Sequence, residues 1–195
     1  MPRIPYPLPE QIDEEARTIM AAIPPINVMR MLSHSGSVMA GFGAFGHRIL
    51  YDLKIDPVLR EMAIVRVGHL SRSAYELAQH NRFIADLGVS PEKIAALGTD
   101  IRHPAFTDVE QAVLVFTDDI VANVRASDES LAALRRHFSD RQVVELIMLI
   151  GNYRMLCMLL ETCGVEIEAP GSVEQPDQKE WERRMSTKNT QGEQE

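Results

Sequence analysis

Helix-start and helix-stop signals are set so closely along this chain that they leave no room for a sheet. Asp56-Pro57 puts a capping carboxylate ahead of a proline at a first turn, where no N–H is needed. Ser90-Pro91 is another helix start, and Thr107-Asp-Val-Glu110 and Ser139-Asp-Arg-Gln142 have the spacing of capping boxes. Gly88 and Gly164 stand where helices favour a left-handed residue past the C-terminus. No run of alternating strand pattern lies between these marks, so the expected fold class is all-α.

The punctuation divides the chain into a succession of helices. A first amphipathic helix over 9–23 is stopped by Pro24-Pro25, and Asn27 caps a short one ending near Ser33. An apolar helix over 36–51 contains Gly41, Gly43 and Gly46, which lower helix propensity and suggest close packing against a neighbour or a ligand. Further helices are expected from Pro57 to about Leu70, from near Ser73 to Gly88, over 91–98, from Thr107 to about Val124, and from Ser127 or Asp128 to Phe138. The last, ending at Gly164, is apolar nearly all round and belongs at a bundle centre or in a subunit interface. The domain expectation is a lead with one helix over 1–26, a helical domain over 27–168, and a polar tail over 169–195 carrying the single Trp181, either mobile or docked on another subunit.

With 195 residues, 45% of them hydrophobic, the chain can cover one sizeable core. A net charge of −8 argues against nucleic acid and anionic membrane surfaces, so the expected partners are a small-molecule substrate and copies of the chain itself. The proline-rich start has no apolar stretch of signal-peptide length, and the run Leu146–Ile150 is interrupted by Asn152 and Arg154, which predicts a cytoplasmic protein without a membrane span. Cys157 and Cys163, six apart on one helix, would be separated by about 9 Å, too far for a disulfide.

The chemistry concentrates between Glu61 and His80. Glu76 and His80 are four apart and share a helix face, and Glu61 and His80 fall on adjacent antiparallel helices. An imidazole titrates near pH 6.5 unless perturbed, so carboxylates beside it make a proton-transfer site. Tyr75 and Arg66 are candidates for holding an anionic substrate, by a hydroxyl and by bidentate donors. No His-x-x-x-His or Cys-x-x-Cys spacing is present, so neither a metal nor another cofactor is expected.

At Glu61-Met-Ala-Ile-Val-Arg66-Val, Tyr75-Glu76-Leu-Ala-Gln-His80, Gly88-Val-Ser-Pro-Glu-Lys-Ile, Ile150-Gly-Asn-Tyr153-Arg-Met and Gly164-Val-Glu-Ile-Glu the chain resembles the carboxymuconolactone decarboxylase family, whose other branch is the alkylhydroperoxidase D type. The resemblance covers roughly residues 27 to 168. It implies a helical fold assembled as homotrimers or homohexamers, with sites near subunit interfaces. In the hydroperoxidase branch a Cys-x-x-Cys precedes the His, and an upstream Glu acts through that His on a thiol. Those positions are here Ser73 and Glu76, His80 and Glu61. Neither Ser nor Glu forms a disulfide, so the branch without the dithiol is implied. The expected function is a lyase acting by acid/base chemistry on a small carboxylated lactone or oxo acid of aromatic breakdown, with His80, Glu61 and Glu76 as catalytic groups. The alternatives are a peroxidase-like antioxidant activity through a C-terminal cysteine, and a ligand-binding protein without catalysis.

Overall fold

In a computed structural model that describes residues 1–173, nine α-helices follow one another and no strand occurs among the described residues. They are α1 (Glu14–Met20), α2 (Asn27–Leu32), α3 (Gly36–Tyr51), α4 (Pro57–Ser71), α5 (Ala74–Asp86), α6 (Pro91–Thr99), α7 (Asp108–Asn123), α8 (Asp128–Arg135) and α9 (Asp140–Cys163). Contacts group them into two units, Met1–Asp52 with the described residues from Thr162 on, and Leu53–Glu161. The first takes in α1, α2 and α3 together, across the division expected near residue 26. Trp181 lies outside the described residues.

In the first unit, Asp13 ends the expected helix over 9–23 as one piece. Only Pro9–Gln11 forms a 3-10 turn, and α1 starts after Asp13, whose carboxylate accepts from the Ala16 N–H at 2.8 Å. The other Asp13 oxygen accepts from Gly36 N–H at 2.9 Å, tying α3 to α1. A Cβ on Gly36 would stand 2.2 Å from that carboxylate, so here glycine is required. Gly41, Gly43 and Gly46 have open space within 4 Å instead, and the close approach they suggested is not made among the described residues. Asn27 is the first residue of α2, not its cap, and its N–H is met at 2.6 Å by Glu168.

The second unit is built around α4. Met62, Ala63, Ile64, Val65 and Val67 are all fully buried, because α5, α6 and α7 pack around this helix. Met62 and Val65 join Ile84, Leu97, Phe106 and Leu114 in one apolar cluster. Three polar devices hold the neighbours in place. The Thr107–Glu110 capping box forms as expected at α7, and Glu110 also takes Lys93 Nζ at 2.7 and 2.8 Å, joining α6 to α7. Asp119 accepts from the Ser130 hydroxyl and the Ser127 N–H, both at 2.5 Å, which fixes the turn from α7 to α8 and holds its carboxyl well below the usual range. Gly98, expected to end α6, lies inside it against His69, where a Cβ would come within 2.6 Å of the imidazole. α9 is two-faced: Leu146, Leu149, Ile150, Tyr153, Cys157 and Leu160 are buried, while Val144, Ile147, Met148, Met155 and Met158 are exposed. By length and composition it could also cross a membrane, a test that core helices pass as well.

Candidate functional site

The turn between α4 and α5 sets the site. Arg72 adopts a left-handed conformation with φ of 54°, and the N–H of Ser73 returns to the carbonyl of Gly68 at 3.0 Å. This closes α4 as a glycine would and sends α5 back along it after two residues. Glu61 on α4 and His80 on α5 are thereby brought face to face, and the nineteen-residue spacing becomes a contact.

His80 Nδ1 is 2.6 Å from Glu61 Oε2. On its other side Nε2 lies 3.1 Å from Glu76 Oε1, one helical turn earlier, but Glu76 Oε1 has no partner with hydrogen-bond alignment. The imidazole is thus flanked by two carboxylates, one tightly bonded and one near but not aimed. All three groups are buried, Glu61 completely. Phe83 and Tyr153 close around the ring at near-perpendicular angles, with centroids 5.3 and 5.0 Å away. Arg60 Nε donates to the remaining oxygen of Glu61, Oε1, at 3.2 Å, and Nη2 stands at ion-pair distance, 3.1 Å, from the same oxygen without hydrogen-bond alignment.

Burial by itself would push the His80 pKa down, but the charge and hydrogen bond of Glu61, with Glu76 added, outweigh it and raise it to about 9. The reciprocal holds for Glu61: burial favours its neutral form, yet His80 and Arg60 together keep its pKa below the ordinary carboxylate value. At neutral pH the site holds an imidazolium, which is a proton donor rather than an acceptor.

The sequence-level candidates divide. Glu61, Glu76 and His80 come together. Tyr75 is buried in the first turn of α5. Arg66 is not free to hold a substrate: Nε and Nη2 form a bidentate pair with Asp118 at 2.6 and 2.7 Å, and Nη1 donates to the Leu97 carbonyl at 2.8 Å. It is a tie from α4 to α6 and α7, because residue 66 faces α7 where residue 61 faces α5. Arg60, Phe83 and Tyr153 were missed. The buried face of α9, with residues 146, 149, 150, 153, 157 and 160 at helical spacing, was the signal that could have drawn Tyr153 inward.

Cys157 occupies the same face one turn past Tyr153. Its thiol lies near Ser71, Ser73 and the charge of Glu76 within one chain, although Ser73 Oγ has no hydrogen-bond partner. Burial, then Glu76, pushes its pKa to about 11, and the residue is 1% exposed. Cys163 is also a free thiol. A separate groove of about 760 Å³ runs between α7 and α8, bordered by Arg102, Asp119, Ser130 and Arg136, and contains none of these residues.

Residues 37–119, which include Glu61, Glu76 and His80, match the carboxymuconolactone decarboxylase family. Over that stretch the chain is similar to the family. Among solved structures, an uncharacterised peroxidase-related protein from Silicibacter sp. TM1040 superposes with a TM-score of 0.74 at 16% identity, covering 87% of this chain and 93% of that one. An alkylhydroperoxidase core protein, also peroxidase-related, from Ralstonia eutropha JMP134 gives 0.72 at 17% identity with the same coverage. A cysteine-to-alanine variant of the debrominase Bmp8, in complex with 2,3,4-tribromopyrrole, gives 0.66 at 16% identity over 80% of this chain and 82% of that one. At these identities the likeness is one of fold, and it bears out the all-α, alkylhydroperoxidase D-like architecture. No curated protein matches the sequence significantly.

Proposed function

We propose that this chain, similar over residues 37–119 to the carboxymuconolactone decarboxylase family, is a lyase that moves a proton to carbon through His80, on a small carboxylated lactone or oxo acid of aromatic breakdown. The observation that carries the reading is the buried imidazole flanked at Nδ1 by Glu61 and at Nε2 by Glu76. When a carboxylate leaves as carbon dioxide, its bonding electron pair passes to a conjugated carbonyl and forms an enolate. The His80 imidazolium neutralises that enolate and then protonates carbon, and solvent restores its proton. Glu61 orients the ring, and Glu76 Oε1, unaligned beside Nε2, is placed to accept a hydrogen bond from a group entering between them. Arg66 is not assigned to the substrate, being taken up by Asp118. We place the protein in the cytoplasm as a homotrimer or homohexamer, without metal or cofactor. The test is carbon dioxide release from a panel of carboxylated lactones and oxo acids. His80→Ala is expected to lower kcat/KM by about 100-fold or more, and an unchanged value would overturn the assignment.

A second reading, reduction of peroxides, is favoured by one observation: Cys157 sits against Ser73 and Glu76. Its burial and raised pKa count against it, since the thiolate is the reactive species. Hydrogen peroxide consumption that is present in the wild type and lost in Cys157→Ser would establish this reading over the first.

A further inference from the structure

Arg60 has no role in the proton transfer described above, and helix geometry does not require it to be near the site. Successive residues on a helix do not face each other. Even so, the Arg60 side chain, only 7% exposed, turns back so that two of its nitrogens meet a single oxygen of Glu61. The second oxygen is committed to His80. Each oxygen of this completely buried carboxylate therefore answers to a different cation.

We propose that Arg60 is a positioning residue that sets the number of protons in the Glu61–His80–Glu76 chain: it holds Glu61 as an anion out of water, and that anion keeps the proton on His80. The inference deepens the acid/base reading and rests on it. At the buried Glu61 carboxylate the Arg60 charge and the His80 ring stand on opposite oxygens. The other groups that face His80 and Glu76 do not substitute for Arg60. From α9, Arg154 turns its guanidinium to Ser71 at 2.6 Å, Tyr153 presents its ring, and the Cys157 thiol is held neutral. Without Arg60 the buried Glu61 carboxylate would lose one of its two cationic partners, and a low-dielectric site resists the uncompensated anion by taking up a proton. Glu61 is the group that loses its partner, so its pKa rises and its bond to His80 weakens.

The test needs no substrate. The Glu61 carboxyl is followed by carbon NMR, and the His80 ring by nitrogen NMR, through a pH titration of the full chain and of Arg60→Met and Arg60→Lys. In Arg60→Met the Glu61 titration is expected to move up by about one pH unit or more, while Arg60→Lys, which restores the charge, stays near the wild type. A folded Arg60→Met with an unchanged Glu61 titration would overturn the proposal, and so would a shift equally large in Arg60→Lys. Should Arg60→Met be too unstable for NMR, its loss of Tm against the wild type is read instead across pH. An unbalanced charge makes that loss larger at about pH 8 than at about pH 5, where the extra proton is available, whereas a loss equal at both would mean packing alone and would sink the idea. If no lactone or oxo acid is turned over but Glu61 shifts as described, the reaction assignment fails and the role of Arg60 stands.

Discussion

Single groups in this protein take their character from their partners rather than from their own chemistry. The folded His80 pKa, raised from 6.5 to about 9, implies a definite pH dependence. A group held charged by folding contributes stability in full below its unfolded pKa and loses it as pH rises through the folded one. Wild-type Tm is therefore expected to fall between about pH 6.5 and pH 9 in excess of any fall seen in His80→Ala, and equal slopes would contradict a protonated His80. Glu61→Gln removes the main anion that opposes burial, so the His80 pKa should fall, with Glu76 alone left to raise it, and stability should fall by about 3–5 kcal/mol, as measured by NMR titration and urea unfolding. The Glu61 and His80 pair was legible in the sequence because two helices joined by a short turn bring such residues level. Arg60 was not, since its guanidinium runs against the direction its place on α4 would suggest.

At the scale of the helices, a side-chain cap marks where α1, α4, α6, α7 and α8 begin, whereas α2, α3 and α5 start without one, and the ends are set with less uniform chemistry. Asp56, Ser90, Thr107 and Ser127 cap as their residue types predict. α7 instead ends on Val124, a β-branched residue with φ of 65° and 92% exposure. Its N–H closes the helix on the Ile120 carbonyl at 2.8 Å, but the exposed side chain gains no burial from a conformation that costs an L-residue about 1 kcal/mol. Val124→Gly is expected to raise stability by about 0.5–1 kcal/mol, visible as a higher urea midpoint; no gain would show that the turn is held by Asp119 alone. The long helix over 9–23 and the role of Gly98 were misread for a related reason. Helical periodicity continues through 9–23 on paper, but Asp13 gains two backbone donors by breaking it, one of them from Gly36, which is distant in sequence.

Across the molecule, α9 carries two apolar faces with different destinies. One is buried and brings Tyr153 to His80 and Cys157 toward Glu76, and the other leaves Val144, Met148, Met155 and Met158 in solvent with Gly151 between them. An exposed apolar stripe of this length favours association, and a second copy of the chain is the partner we propose for it. The wild type is expected to elute as a trimer or hexamer in gel filtration, and Met148→Lys with Met155→Lys to elute smaller; a 22 kDa wild-type species would contradict this. Capping residues and helical periodicity, being local, were enough to establish an all-helical chain, most of its helix starts, and a carboxylate and imidazole pair between two of them. Which cation balances Glu61, that Arg66 belongs to Asp118, and that α9 closes over His80 were settled only when distant segments packed. Those outcomes depend on which side chains are left without water and must find charge or hydrogen bonds among whatever neighbours the fold supplies.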